Sequence, residues 1–334
     1  MTSEWLRNKP FDLFFILGIS AIALFSGAIV VRQPDLFYTV LTIDLWLLGY
    51  HHVIATYTRL GLDKNSIKEH KLLITALPLA VIISVALLTY SFGIWLITTI
   101  YLYWQWYHYT RQSWGVAQFY RRKSDGRVKD NVNISQILFW SIPVWGIFHR
   151  SHQAPESFIN LPIAVFPIPE SLYLVVTALG IICFIYWVLS KLFEWVRGEL
   201  PVAHTLYMTS HFGIFYISYI YISDITFGWL VVNVWHNAQY ILFVWLYNNN
   251  KFRNGVDDGA KVLSTLSQTK NTWLYFLFCL TLTTAIYYTA ESLIATTAAL
   301  MIFYQSLNFH HYIVDSQIWK ARKKPIQSIM GIKN

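Results

Sequence analysis

Five stretches of the chain set histidine beside other groups that bind metals or carry protons. "GYHHVIATYTRL" holds His51 and His52. "YWQWYHYTRQSWG" holds Gln105, His108, Arg111 and Gln112, whose three- and four-residue spacings place them along one side of a helix. "AHTLYMTSHF" puts His204 and His211 seven apart, again on one face. "NVWHNAQY" aligns Asn233, His236, Asn237 and Tyr240, and "FHHYIVDSQIW" holds His310, His311 and Asp315, preceded in the same stripe by Tyr304 and Asn308. Imidazole with carboxylate in a dry site is the ligand set of iron, zinc or copper. A neutral histidine ligates through one nitrogen and donates the other N–H, and Gln112, Asn237, Asn308 or Asp315 is a candidate acceptor. Any one of these groups would also serve as a polar contact between helices. Their repetition on five segments points instead to a shared metal site.

The elements that carry these residues are membrane helices by composition. The 334 residues are 55% hydrophobic and only 13% charged, about half the usual charged share of a soluble domain. Apolar runs long enough to span a bilayer as helix recur throughout, and no alternating β-barrel pattern is present. Ten spans are predicted, at 11–31, 36–59, 72–90, 94–120, 134–148, 170–196, 202–222, 226–248, 272–289 and 292–319, the fifth short and kinked by Pro143. The chain 1–334 reads as one all-α transmembrane domain with a short N-terminal segment, 1–10, and a basic tail, 320–334. All but Arg32, Arg111 and Arg150 of the 25 Lys and Arg residues fall at the N-terminus, in alternate loops or the span ends that lead into them, or in the tail. The positive-inside rule therefore predicts cytoplasmic termini, in an inner membrane. The net charge of +8 is explained by those loops, with no nucleic-acid partner.

This topology gives the histidines a depth. His52, His108, His236 and His311 stand roughly 7 to 15 residues before a cytoplasmic boundary, a common layer in the inner half of the bilayer at about 1.5 Å per residue. His211 reaches the same layer from the opposite direction. Other residues read as structural. Cys183 and Cys279 lie in apolar runs, the first span is an uncleaved anchor, and His70 is a solvated loop residue. His149 and His152 belong to an external loop, 148–170, that is surface-lying or re-entrant. Asp44 pairs with a tyrosine or lines a cavity. Arg111 pairs with a carboxylate such as Asp315 or anchors an acidic substrate group. "IYLYWQWYHY" packs against neighbouring helices or lines a slot for a flat apolar molecule.

At these residues the chain resembles a family, the Brp/Blh-type membrane β-carotene 15,15′-dioxygenases of bacteria and archaea. The likeness is clearest over about 232–326, where "WHNAQYILFVW" matches a histidine-bearing helix and "FHHYIVDSQIW" the closing motif, a histidine five residues before an aspartate. That register selects His310 and Asp315. "GYHH" resembles the first histidine motif and selects His52; "YHYTRQSWG" is a loose counterpart of the second and selects His108. The resemblance implies a membrane-embedded non-haem iron, held by these histidines, that activates dioxygen to cleave a carotenoid. The chain departs from the pattern at Thr56, where the family has an acid, at Tyr240, where it has a second histidine, and in its greater length. The helical stripe selects His311 where the resemblance selects His310.

The expected activity is therefore an iron-dependent oxygenase taking a hydrophobic substrate, such as a carotenoid, laterally from the membrane lipids. His51 or His52, His108, His236 and His310 or His311 are candidate ligands, with His211 a further one. Tyr240 is a ligand or hydrogen-bond donor, and Asp315 orients a ligand histidine. A di-iron lipid hydroxylase or desaturase would carry HxxxH and HxxHH boxes, which are absent. A haem-b electron carrier with paired axial histidines and a His/Asp transporter are the other classes. The second of these calls for inverted repeats or broken helices, and neither stands out.

Overall fold

The computed structural model describes residues 4–332. Helix makes up 81% of it and strand 1%, so the class is all-α. In chain order the helices are α1 (Lys9–Arg32), α2 (37–61), α3 (Lys64–Glu69), α4 (Lys71–Phe92), α5 (Ile94–Lys123), α6 (Val132–His152), α7 (Glu170–Val196) and α8 (202–221). They are followed by α9 (Ile225–Lys251), α10 (Lys261–Leu266), α11 (Thr269–Leu293), α12 (Thr297–Ile318) and α13 (Lys324–Ile329). Helix covers nearly all of every predicted span.

Helix starts follow local chemistry. The side chains of Asn8, Asp63, Asn131 and Thr296 accept backbone N–H bonds at the beginnings of α1, α3, α6 and α12. Gly93, at φ 93°, makes the turn between α4 and α5 that a side chain would strain. Four π-turns interrupt the α-helical period among the described residues: Phe14–Gly18, Leu45–Gly49, Ile217–Tyr221 and Thr284–Tyr288. The fifth span is not short. α6 runs through Pro143 to His152, where the sequence expectation placed a loop. The remainder of that loop contains a small hairpin pairing Ser157–Phe158 with Leu161–Pro162, with Phe158 fully buried.

Four helices, α1, α4, α7 and α11, are long and apolar enough to cross a membrane. They also keep most of that surface uncovered: only 17% of α4's most apolar window is buried and 11% of α7's. In a soluble protein such faces would be an aggregation hazard; in hydrocarbon they are at rest. The helices carrying the histidine motifs are less apolar because His, Asn, Gln and Tyr occupy their inner faces, and α9 is buried almost throughout from Trp229 to Tyr247.

Contacts divide the described chain into two compact units. The first is built from Thr98–His236 with the chain up to Phe37 and the last residues from Gly331; the second comprises Tyr38–Ile97 and Asn237–Met330. In the first, α6 packs along α7 and α8. Arg150 is not a surface residue there but is 1% exposed. Its guanidinium donates to the carbonyls of Ser218 (2.8 Å), Ser223 (2.6 Å) and Ile222 and to Gln153 Oε1 (2.7 Å), closing the carbonyl-rich end of α8. In the second unit α12 packs along α4, and both α11 and α12 lie against α2.

Candidate metal centre

The second unit brings together parts of α2, α9 and α12. His52 lies on α2 just beyond the π-turn Leu45–Gly49, and His311 and Asp315 are one turn apart on α12. All three are buried, at 4%, 0% and 5% exposure. Each offers a ligand atom, and these atoms lie within 4.8 Å of one another. The His52 and His311 rings meet edge to face, with centroids 4.3 Å apart. Two donors on one ion, each at about 2.1 Å, can be no more than about 4.2 Å apart, so closure by well under 1 Å brings the set onto a common ion.

The surrounding hydrogen bonds fix which atoms face inward. Tyr240 donates its hydroxyl to Asp315 Oδ1 at 2.6 Å and accepts from Trp319 Nε1 at 2.9 Å. Thr56 Oγ1 makes a short contact with the Tyr240 hydroxyl and lies 3.3 Å from Asp315 Oδ1. With the phenolic proton given to the carboxylate, the Thr56 proton must go to one of those two oxygens. The His311 Nδ1, 2.9 Å from Thr56 Oγ1, is then the donor in that bond. The ring is thereby held with Nδ1 towards Thr56 and with its Nε2 3.6 Å from Asp315 Oδ2. That carboxylate oxygen is buried and accepts no hydrogen bond. At that spacing one metal ion reaches both atoms, and a proton on Nε2 would instead make the contact an imidazolium–carboxylate pair. Two imidazoles and one carboxylate are the donor set of non-haem iron(II) sites with open positions. The residues present fit such an ion.

The other candidates have different surroundings. His51 points away from His52: its Nδ1 donates to the Leu47 carbonyl at 3.2 Å, and its ring meets Phe276 edge on. His310 has both nitrogens engaged, Nε2 with the Leu73 carbonyl (2.8 Å) and Nδ1 with the Tyr57 hydroxyl (3.1 Å). Within each doublet the second histidine joins the group; at α12 this is the helical stripe's choice, not the resemblance's. Asn237 is buried beside Gly49, where an added Cβ would sit 3.5 Å from its Nδ2. Asn308 is half-buried and contacts Gln305, and Tyr304 bonds Glu291.

The first unit holds the remaining residues. His108 and His236 are buried with ring centroids 5.0 Å apart, and Tyr109 lies 4.1 Å from His236. The Tyr109 hydroxyl donates to Asn233 and accepts from Gln105. His211 stacks on Phe139 at 3.7 Å, and both its nitrogens are in use, Nδ1 with Ser113 (3.0 Å) and Nε2 with the Phe139 carbonyl (3.1 Å). That carbonyl is the one Pro143 cannot serve, four residues on and lacking an N–H, so His211 repairs the α6 ladder. Arg111 is exposed and Gln112 half-buried. At 100° per residue Arg111 lies about 120° from Gln105, past the edge of the stripe, which is why it faces outward.

Thr56 and Trp319 were not assigned roles from the sequence. Thr56 follows His52 by four residues and Trp319 follows Asp315 by four, so helical spacing alone would have flagged both. Comparisons with protein-family models, with curated proteins and with solved structures find no match to this chain.

Proposed function

We propose that this chain is a membrane-embedded, non-haem iron oxygenase acting on a hydrophobic substrate, and that the substrate is a carotenoid cleaved oxidatively, as the resemblance implies. About ten spans with both termini cytoplasmic, in an inner membrane, complete the proposal. The observation that carries it is the buried group of His52, His311 and Asp315, whose ligand atoms lie within 4.8 Å of one another, with the surrounding bonds to the carboxylate already made. Iron(II) held there would supply activation of dioxygen. Tyr240 and Thr56 hold the Asp315 carboxylate in one orientation, and Thr56 holds the His311 ring. Ala55, Tyr240 and Val244 pack with Trp319 on one side, and Leu60, Val314 and Ile318 on another, keeping water from the group.

The test is metal analysis of purified protein, wild type against His311→Ala and His52→Ala. Near-stoichiometric iron that falls in both variants supports the assignment; wild type without a transition metal overturns it. His108→Ala and His236→Ala, measured alongside, test the ligand role expected for those histidines from their depth. Expression in a β-carotene-producing host tests the substrate: unbleached cells without retinal exclude carotene. A haem between His52 and His311 is disfavoured by their 4.3 Å ring separation, too small to admit a porphyrin plane; a Soret band would show haem bound elsewhere.

A further inference from the structure

A recess of about 280 Å³ opens between α2, α4 and α12, within the second unit. Its walls are apolar, from Leu60, Ile74, Pro78, Ile82 and Leu307, and Gly61 leaves room at one end. Three polar side chains line it. Two are satisfied: the Tyr57 hydroxyl lies 3.2 Å from the Leu307 carbonyl and 3.1 Å from His310 Nδ1, and His310 Nε2 bonds the Leu73 carbonyl. The third is Ser306, which is 5% exposed and whose Oγ has no hydrogen-bond partner. The lining residues Ile74 and Pro78 supply a second polar atom. Pro78 has no N–H with which to close the helical turn on the Ile74 carbonyl. At Pro143, the comparable break in α6, His211 supplies the missing donor. Among the described residues no side chain does so for Ile74.

We propose that this recess binds the end of a long hydrocarbon chain that carries a single hydroxyl group, with the hydroxyl pairing with Ser306 and the Ile74 carbonyl. A hydroxyl both donates and accepts, which matches a carbonyl that only accepts and a serine that does either. A carboxylate would face the carbonyl and bury a charge, since no Lys or Arg lines the recess. A bare alkane would leave both polar atoms unpaired. The apolar walls and the exposed hydrocarbon-compatible face of α4 fit delivery from a bilayer. This site stands independently of the metal reading.

The probe is hexadecanol carrying a chain-borne diazirine, photolysed with the full-length protein in phosphatidylcholine nanodiscs, with the labelled peptides identified by mass spectrometry. Labelling is expected on 57–61, 74–82 and 306–310, displaced by hexadecanol and not by hexadecane or palmitate. Gly61 lies on the lining and nothing lies within 4 Å of a Cβ there, so the backbone accepts a side chain and Gly61→Leu should abolish labelling while leaving metal content unchanged. Ser306→Ala removes one hydrogen bond and should weaken labelling about fivefold and erase the preference for the alcohol over hexadecane. Label outside these peptides, equal displacement by hexadecane in wild type, or undiminished labelling of Gly61→Leu would each overturn the proposal.

Discussion

Removing the Tyr240 hydroxyl tests whether the bonds around Asp315 serve a metal. Tyr240→Phe takes one donor from Asp315 Oδ1 and one acceptor from the Trp319 indole, in a position 1% exposed where water cannot substitute. A hydrogen bond to a charged group contributes about 1.5–3 kcal/mol, which corresponds to roughly tenfold to hundredfold in affinity if all of it holds the carboxylate in its ligating orientation. One effect opposes this. A carboxylate that loses a donor becomes more basic and attracts a cation more strongly. The net loss should therefore lie near the lower bound, about tenfold, which is also the lower end for residues that orient metal ligands.

The assay is anaerobic titration of metal-free protein in nanodiscs with cobalt(II), followed by its ligand-field absorption and checked by chelator competition. Tyr304→Phe is the control, because its hydroxyl bonds Glu291 and not the Asp315 group. Tyr240→Phe should weaken binding about tenfold and alter the absorption band, with the control unchanged. Folded Tyr240→Phe protein that binds cobalt within about twofold of wild type would refute the claim that Asp315 is positioned for a metal by this network.

His310→Ala and His311→Ala should separate two roles: the first keeps most of its metal and loses about 1 kcal/mol of stability with its bond to the Leu73 carbonyl, whereas the second loses the metal, read by metal analysis and thermal unfolding. Arg150→Met leaves three carbonyls without donors and should lower the unfolding temperature by about 5 °C with metal content preserved; an unchanged midpoint would show that Arg150 does not hold α8. Burial holds the His70 imidazole below its ordinary value of 6.5, at the start of α4 where a positive charge is unfavourable. The unfolded chain therefore takes up a proton at His70 more readily than the folded one, so its contribution is present above pH 6.5 and lost as pH falls below it, and His70→Gln should flatten the stability–pH curve in that range.

The helices were legible because apolar runs bounded by Lys, Arg, Gly and Pro leave little choice of structure in a chain this apolar. The extension of α6 was not, because Pro143 suggested a short, kinked span and the compensating donor, His211, lies 68 positions away from Pro143 in sequence, beyond any local signal. His311 and Asp315 were readable from a spacing of four on one helix. The outer part of the same stripe misled: three turns separate Tyr304 from Asp315, and Tyr304 is taken by Glu291. The contacts of Thr56 with Tyr240 and Asp315 join segments 184 and 259 residues apart, and no pattern within either segment encodes them.

The two histidine doublets share a logic that spacing alone explains. Adjacent helical residues point about 100° apart, so one imidazole of each pair can face the metal group while its neighbour faces a different surface. On α12 the outward member, His310, donates to the Leu73 carbonyl of α4. That bond fixes the rotation of α12 about its axis and so fixes the direction in which His311 projects. On α2 the outward member, His51, takes the Leu47 carbonyl inside the π-turn Leu45–Gly49, where the normal i+4 ladder is interrupted. The π-turn advances the helix by one extra residue, which resets the face presented by everything after it, His52 included. In both cases a histidine that never touches the group sets the aim of the one that does. His310→Ala should therefore loosen cobalt binding by a smaller factor than Tyr240→Phe, whereas His310→Gln, whose amide can still donate to a carbonyl, should restore it. Equal loss in both His310 variants would mean that His310 acts by some route other than this bond.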